Sequence, residues 1–219
     1  MKLKPYPKYK DSGIQWIGEI PEGWEIKRAK IIFGEVDNRS ISGKGELLTV
    51  SHITGVTKRS EKVVYMFMAE TLEGYKKCKK NDLVINTMWA WMGAMGVAFE
   101  DGLISPSYNV YRFRKDEYIP EYCDYLVRTP KFTSIVKSRS KGVWESRLRL
   151  YPEYFCNIMM PIPPKNIQIK IVKFLNKEIK KINTTLLDIE KHMILLEEYK
   201  KSLIHHVVTG KVDVRGVEA

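Results

Sequence analysis

Residues 161–208 read PIPPKNIQIKIVKFLNKEIKKINTTLLDIEKHMILLEEYKKSLIHHVV, and this stretch decides the fold. Pro163 and Pro164 open it, because the first helical turn tolerates proline, whose missing N–H would have no partner there. From Lys165 to Val208 the stretch contains neither proline nor glycine, and Gly210 is a typical helix stop. The pattern predicts one helix over residues 165–208.

Apolar residues recur along this helix at an average spacing of about 3.6 residues. They are Ile171, Leu175, Ile179, Ile182, Leu186, Ile189, Met193, Leu196, Tyr199, Leu203 and Val207. Between residues 179 and 196 the spacing alternates strictly between three and four, as in a short coiled coil. The predicted dimer seam is Ile179, Ile182, Leu186, Ile189, Met193, Leu196 and Leu203.

The predicted helix is too long to be covered by its own domain. At about 1.5 Å per residue it would span roughly 66 Å. The residues before it should fold to a globule on the order of 40 Å across. At least a third of the helix should therefore need another surface, and the sequence offers no second helix of matching length. The alternative is an internal core helix of a helical domain.

Composition fits one ordinary domain with an appendage. The 219 residues are 44% hydrophobic, which excludes disordered and collagen-like classes. Cys78, Cys123 and Cys156 are odd in number and far apart, so neither a disulfide framework nor a zinc site is indicated. No apolar run approaches the roughly 18 residues of a membrane span, and the start MKLKPYPKYK lacks a signal-peptide core. We therefore expect a cytoplasmic protein.

The residues before the helix predict a mixed α/β domain built around a twisted sheet. Strands are predicted at 47–53, 82–87, 96–99 and 108–114, and proline-initiated helices at 120–128 and 130–138. Residues 1–30 are rich in Pro, Gly and Trp, which indicates an ordered but irregular segment. The predicted class is α+β, with a domain at 1–164, a helix at 165–210 and a tail at 211–219.

Positive charge is concentrated in one segment. The chain has a formal net charge of +11, and residues 128–149 contain seven Lys or Arg and a single acid, Glu145. A basic cluster in a segment containing Gly and Ser favours phosphate contact, although a solvated face is the alternative. The candidate phosphate contacts are Lys58, Arg59, Arg139, Lys141, Arg147 and Arg149.

Two tryptophans follow the predicted strand at 82–87. Trp89 and Trp91 are candidates for reading or wedging bases, because their rings leave a strand end. If the strand continues, the two rings share one face, and packing in the core is the alternative. His52 follows another predicted strand, where it could contact a base or phosphate or cap a turn.

No catalytic constellation can be assembled from the sequence. IPPK at 162–165 lacks the preceding amide or carboxylate and the following ring of an amino-methyltransferase motif. GAMG at 93–96 lacks the third glycine of a phosphate-binding loop, and no GxxxxGK[ST] motif occurs. We predict no catalytic residue and no metal ligand.

Several short motifs recur in an order that matches one family. They are YKDSGIQWIGEIPEGWE (9–25), NDLVIN (81–86), MGAMGV (92–97), GLISPSYNV (102–110), PIPP (161–164) with Gln168, Ile171, Phe174 and Leu175, and TGKVD (209–213). Over nearly its whole length the chain resembles a specificity subunit of type I restriction–modification systems, in a half-length form with one target-recognition domain and one helix. The family usually has Glu-Gln at the helix start, whereas here Ile167 precedes Gln168.

The resemblance implies a non-catalytic reader of double-stranded DNA that directs methyltransferase subunits and, through them, restriction subunits. Full-length relatives place two recognition domains at opposite ends of an antiparallel helix pair. Two copies of this chain, paired antiparallel, would restore that arrangement and read an interrupted palindrome. S-adenosylmethionine, Mg²⁺ and ATP would belong to the partner subunits, so no cofactor is expected here.

Two other functions are compatible with the sequence. One is a stand-alone enzyme acting on nucleic acid, such as a small nuclease. The other is an assembly protein that acts through its helix and whose charge is incidental.

Overall fold

The computed structural model describes residues 4–61, 69–144 and 147–217. The chain divides into two compact units, Met1–Ile171 and Val172–Ala219. The division falls inside the long helix, whose first two turns belong to the first unit.

The first unit contains twelve short strands and four short helices among its described residues. The strands are β1 (Tyr9–Asp11), β2 (Glu19–Pro21), β3 (Glu25–Arg28), β4 (Phe33–Val36), β5 (Leu48–Ser51), β6 (Gly55–Lys58), β7 (Lys76–Cys78), β8 (Leu83–Asn86), β9 (Met95–Val97), β10 (Gly102–Ile104), β11 (Tyr108–Phe113) and β12 (Met159–Ile162). The helices are α1 (Ala29–Ile32), α2 (Pro120–Val127), α3 (Pro130–Arg139) and α4 (Pro152–Cys156), and α5 (Lys165–Val208) continues into the second unit. Two 3-10 turns occupy Arg59–Glu61 and Ala90–Met92.

A four-stranded antiparallel sheet in the order β4-β11-β8-β9 forms the centre of the first unit. Its middle strands pair with Val110 opposite Val84 and Tyr111 opposite Leu83. All four residues are fully buried, because this sheet is covered on both faces.

The two faces of the sheet have different cores. Successive side chains of a strand point to opposite faces. Val84 and Val110 lie in an aliphatic cluster, whereas Tyr111 packs against Phe155 with ring centroids 4.6 Å apart. The aliphatic cluster consists of Leu48, Val50, Cys78, Val84, Ala98, Ile104 and Val110.

The beginning and the end of the first unit are paired with each other. β3 runs antiparallel to β12, with Arg28 opposite Met159 and Glu25 opposite Ile162. The Ala29 N–H extends this ladder by donating to the Ile158 carbonyl at 2.8 Å. We call this pair of strands the clasp. It joins segments more than a hundred residues apart immediately before α5 begins.

Gln168 fixes the start of α5 within the first unit. Its side chain is completely buried, and its oxygen accepts the Ile119 N–H at 2.8 Å. Its side-chain nitrogen donates to the carbonyls of Glu117 and Pro163, both at 2.8 Å. The neighbouring Ile167, where the family usually has Glu, therefore leaves the polar contact of this junction intact.

The second unit consists of the remainder of α5 and the residues that follow it. Helix α5 is continuous over 44 residues and ends as predicted, with Gly210 in the left-handed conformation at φ 71°. The seven predicted seam residues are between 36% and 66% exposed. Leu187, Ile194, Leu195 and Ile204 are exposed as well.

The predicted fold class is confirmed, with two differences in detail. The sheet content is divided between the four-stranded sheet and four two-stranded ladders instead of one dominant sheet. The segment 1–30 is not merely irregular, because it forms β1, β2, β3 and the start of α1. Both differences have one cause: strands of three or four residues are too short to show a period in the sequence.

Candidate nucleic-acid interface

The tryptophan turn, residues 87–92, begins where β8 ends at Asn86. The Trp89 N–H donates to the Asn86 carbonyl at 3.0 Å, which closes the turn and stops the strand. The Trp89 and Trp91 rings stack, with centroids 6.3 Å apart and planes 15° from parallel. Trp89 remains half exposed. The strand therefore does not continue, and the Trp89 ring stands at the surface instead of in the core.

Trp91 is held from two sides. Its indole N–H donates to the Met88 carbonyl at 3.0 Å, and the Lys137 ammonium lies 5.8 Å from the ring centroid. A cation above an indole face is an attractive arrangement. The turn thus positions Trp91 as a support for the more exposed Trp89 and brings the positive charge of Lys137 next to the Trp91 ring.

The basic loop, described at residues 140–144 and 147–150, follows α3 and returns to the tryptophan turn. Its base is closed by a backbone pair in which Lys141 and Arg149 each donate an N–H to the other's carbonyl at 2.8 Å. At its far end the Leu150 N–H donates to the Thr87 carbonyl at 3.0 Å. Basic loop, α3 and tryptophan turn therefore form one continuous surface.

Four of the predicted phosphate contacts lie on this surface. Arg139, Lys141, Arg147 and Arg149 are all exposed, and none of them forms an ion pair with another described residue. Lys141 also lies 5.1 Å from the centroid of the Tyr154 ring. The structure thus brings six of the eight predicted site residues together, namely these four cations with Trp89 and Trp91.

The other two predicted contacts lie elsewhere, on the β5–β6 hairpin. The Lys58 ammonium is 2.8 Å from a carboxylate oxygen of Glu100, and this hydrogen bond raises the pKa of Lys58. Arg59 begins the 3-10 turn after β6 and donates its backbone N–H to the Leu47 carbonyl at 2.8 Å. Lys58 is therefore already paired with an acid.

The turn of this hairpin is anchored from below by a buried acid. The Asp124 carboxylate accepts the Val97 N–H at 2.9 Å and lies 3.3 Å from Nη1 of Arg128. Nη2 of Arg128 donates to the Ile53 carbonyl at 2.6 Å. His52 and Ile53 are consequently presented to solvent on a fixed turn.

Val143 and Trp144 at the tip of the basic loop were missed by the sequence prediction. They are 92% and 68% exposed. The sequence pattern that could have indicated them is a pair of large apolar residues between cations, in a segment that contains Ser140 and Gly142. A prediction based on charge alone does not include such a pair.

Within residues 4–61, 69–144 and 147–217, no group of three or more His, Cys, Asp or Glu side chains is placed to hold a metal ion. In the same ranges no helix combines the length and the apolar content needed to cross a membrane.

Comparisons by sequence gave no match, either to protein-family models or to curated proteins. Comparison with solved structures did give matches. One is a chain from a structure on complex assembly and conformational transition of the type I R-M system, at 16% identity and a TM-score of 0.60. That alignment covers 85% of this chain and 46% of the other.

Two further matches are single subunits. The HsdS subunit from Thermoanaerobacter tengcongensis is 15% identical, with a TM-score of 0.52 and coverage of 80% of this chain and 41% of the other. The type I restriction–modification S subunit from M. genitalium is 14% identical, with a TM-score of 0.51 and coverage of 82% and 45%. The chain thus spans less than half the length of each solved chain. At such low identity these structural matches establish the fold alone, and for the fold the resemblance predicted from sequence is confirmed.

Proposed function

We propose that this chain, which has the fold of a type I specificity subunit at about half its length, is a DNA-reading subunit that acts as a homodimer. The observation that carries the proposal is the coverage: 85% of this chain aligns with 46% of a chain from a type I system. One recognition domain and one long helix are what half of a two-domain reader would contain.

The surface formed by the basic loop, α3 and the tryptophan turn supports contact with double-stranded DNA. Cations at phosphates hold the register of a protein on a duplex, and side chains at bases read the sequence. Arg139, Lys141, Arg147 and Arg149 are exposed and carry no acidic partner among the described residues. The half-exposed Trp89 ring lies on the same surface. Lys58 and Arg59 would extend the contact on the hairpin side.

The seam on α5 supports self-association, because it is complementary to itself in the antiparallel direction. A symmetric antiparallel pair centred on Lys191 places residue i opposite residue 382 − i. Ile189 then meets Met193, Leu186 meets Leu196, and Ile179 meets Leu203. These layers join a and d positions of the heptad. The exposed Leu187, Ile194, Leu195 and Ile204 provide additional apolar area for methyltransferase subunits.

In this proposal the chain itself performs no chemistry. Methyl transfer with S-adenosylmethionine, and cleavage with Mg²⁺ and ATP, would be carried out by the methyltransferase and restriction subunits. The chain would determine which DNA site the complex binds.

Methylation mapping tests the proposal. In cells that contain this chain and its methyltransferase subunits, we expect one modified motif that is palindromic and interrupted, because a twofold dimer presents two identical domains. A motif with two unrelated halves would contradict the homodimer, and unmodified DNA would contradict the specificity function.

Salt dependence tests the phosphate contacts in isolation. Each phosphate contact contributes roughly 0.9 to the slope of log affinity against log salt. We expect the affinity for a duplex to fall steeply as the salt concentration rises from about 50 to about 200 mM. Affinity that does not change with salt would exclude the proposed contacts.

The enzyme alternative has its own test. The purified chain is incubated with plasmid and Mg²⁺, then with S-adenosylmethionine, and we expect neither cleavage nor methyl transfer. Either activity without a partner would favour the enzyme. Failure to bind any duplex, with or without a methyltransferase subunit, would favour the assembly protein.

A further inference from the structure

The tip of the basic loop exposes an indole ring and a branched aliphatic side chain to solvent. Val143 is 92% exposed and Trp144 is 68% exposed. Trp144 is the most exposed tryptophan among the described residues, and its neighbour Val143 is exposed as well. Isolated exposed apolar residues are ordinary, but two adjacent ones at the tip of a closed loop form a projecting apolar contact.

The loop is built so that these two side chains point away from the domain. Ser140 and Leu150, one at each end, are buried, and the Lys141–Arg149 backbone pair closes the base between them. A Cβ added to Gly142 would lie 2.6 Å from the Arg147 carbonyl oxygen. Only glycine therefore allows residue 142 to approach the backbone of Arg147 this closely.

The charge around the tip indicates what the apolar pair contacts. Lys141, Arg147 and Arg149 flank it, and all three are exposed. Flanking cations match the phosphates on either side of a base step. A protein surface that accepted Trp144 would also have to neutralise three cations.

An indole ring has one hydrogen-bond donor and two broad apolar faces, so it reads base edges poorly. The face of a base is available to it only where the stack is opened. Proteins that bend or open DNA insert apolar side chains between base steps, and stacking of a base on an aromatic ring contributes favourably to binding.

We propose that Trp144, supported by Val143, is a wedge that stacks on bases at an opened step of the bound duplex. The ligand class is duplex DNA with locally unstacked bases. The inference rests on the proposed DNA-reading function and adds to it a residue that acts through stacking, separate from the cations that act through charge.

Paired and opened duplexes test the wedge without knowledge of the target sequence. The probes are a 30-base-pair duplex, on the order of three helical turns, and the same duplex with three central mismatches. The wild-type chain should bind the mismatched duplex roughly fivefold more tightly or better, because the opening no longer opposes binding. Trp144→Ala should lose that preference, and Trp144→Phe should keep it, since phenylalanine retains a stacking ring.

Two control variants separate stacking from charge and from general surface effects. Arg149→Gln should weaken binding to both duplexes equally and lower the salt slope by about 1 for each bound domain, with the preference unchanged. Phe99→Ala removes another exposed aromatic ring, on the β9–β10 turn, and should change neither quantity.

The outcomes distinguish this inference from the function on which it rests. Salt-sensitive binding without a preference for the opened duplex overturns the wedge alone, as does a preference that survives in Trp144→Ala. Loss of association with a methyltransferase subunit in Trp144→Ala, with DNA binding intact, makes the tip a protein contact and also overturns it. Absence of salt-sensitive binding to either duplex overturns the DNA-reading function itself.

Discussion

Gln168 shows how much of the fold can depend on one buried amide. Its oxygen and nitrogen satisfy three backbone groups, the Ile119 N–H and the carbonyls of Glu117 and Pro163. Gln168 itself is 0% exposed, and its bond to the Pro163 carbonyl is buried. The residue ties the segment before α2 and the end of β12 to the first turn of α5.

Replacing Gln168 should therefore destabilise the domain strongly. Gln168→Leu keeps the volume but leaves the three backbone groups unpaired, and we expect a loss of about 2–4 kcal/mol in the free energy of unfolding. Urea denaturation measures this loss. Lys170→Ala, an exposed position on the same helix, is the control and should change stability by less than about 0.5 kcal/mol. Equal midpoints for the two variants would contradict the role of Gln168.

The cysteine thiols should be unreactive in the folded chain. Burial raises the pKa of Cys78 to about 12, and burial also raises the pKa of Cys123 and Cys156. Only the thiolate is nucleophilic, so at pH 8 about one Cys78 in ten thousand is reactive. Ellman's reagent should label the native protein slowly and should label three thiols per chain after unfolding in guanidinium. Rapid labelling of two or more thiols in the native state would contradict this expectation.

At the residue scale, the sequence singled out the cations in and beside the basic loop but not Val143 and Trp144 at its tip. Arg139, Lys141, Arg147 and Arg149 could be predicted because a run of cations is visible in one dimension. Trp144 could not be assigned, because its exposure depends on the Lys141–Arg149 pair, which a sequence does not display.

At the scale of elements, what could be predicted depended on length. Helix α5 was predicted with both ends correct, because 44 residues give its period many repeats. Helices α2 and α3 were predicted from their initial prolines, and β5, β8, β9 and β11 from apolar runs. Strands β3 and β12 were missed, because each is paired with the other across more than a hundred residues of sequence.

The seam of α5 can be tested by charge. Leu186→Asp with Ile189→Asp places unpaired carboxylates in two of the proposed apolar layers, opposite Leu196 and Met193 of the second copy, and we expect the dimer dissociation constant to rise roughly a hundredfold or more, about 3 kcal/mol. Analytical ultracentrifugation measures the constant, and far-ultraviolet circular dichroism checks that the recognition domain remains folded.

The matched control for the seam places the same charges on the solvent side. Thr184→Asp with Ser202→Asp adds two carboxylates at exposed neutral positions outside the proposed layers. Dimerisation should remain nearly unchanged. If both double variants shift the dissociation constant alike, charge in general and not the seam controls association.

At the scale of the whole assembly, the direction of pairing is the decisive quantity. With antiparallel pairing centred on residue 191, a spin label at position 177 lies opposite position 205 of the second copy. The two labels of a dimer are then about 42 Å apart along the axis, from 28 residues at about 1.5 Å each. Parallel pairing would bring them within about 20 Å, since paired helices lie about 8–10 Å apart.

Pulsed electron–electron double resonance on the spin-labelled Lys177→Cys variant distinguishes antiparallel from parallel pairing. Cys156→Ser is included because Cys156 is less buried than Cys78 and Cys123. We expect a distance distribution centred near 42 Å, the spacing given by about 1.5 Å per residue. A distribution below about 20 Å would make the dimer parallel and would remove the basis for an interrupted palindrome.

The clasp between β3 and β12 has a consequence for how such a protein can change. Because the first unit enters and leaves through neighbouring strands, residues 29–158 form a cassette whose two ends lie side by side. Another cassette with the same end-to-end spacing could be grafted between Arg28 and Met159 if it also supplied the backbone N–H and carbonyl that Ile119 and Glu117 offer to Gln168. Under the proposed function, exchange of this one continuous gene segment would change the DNA sequence that is read and would leave α5 unchanged.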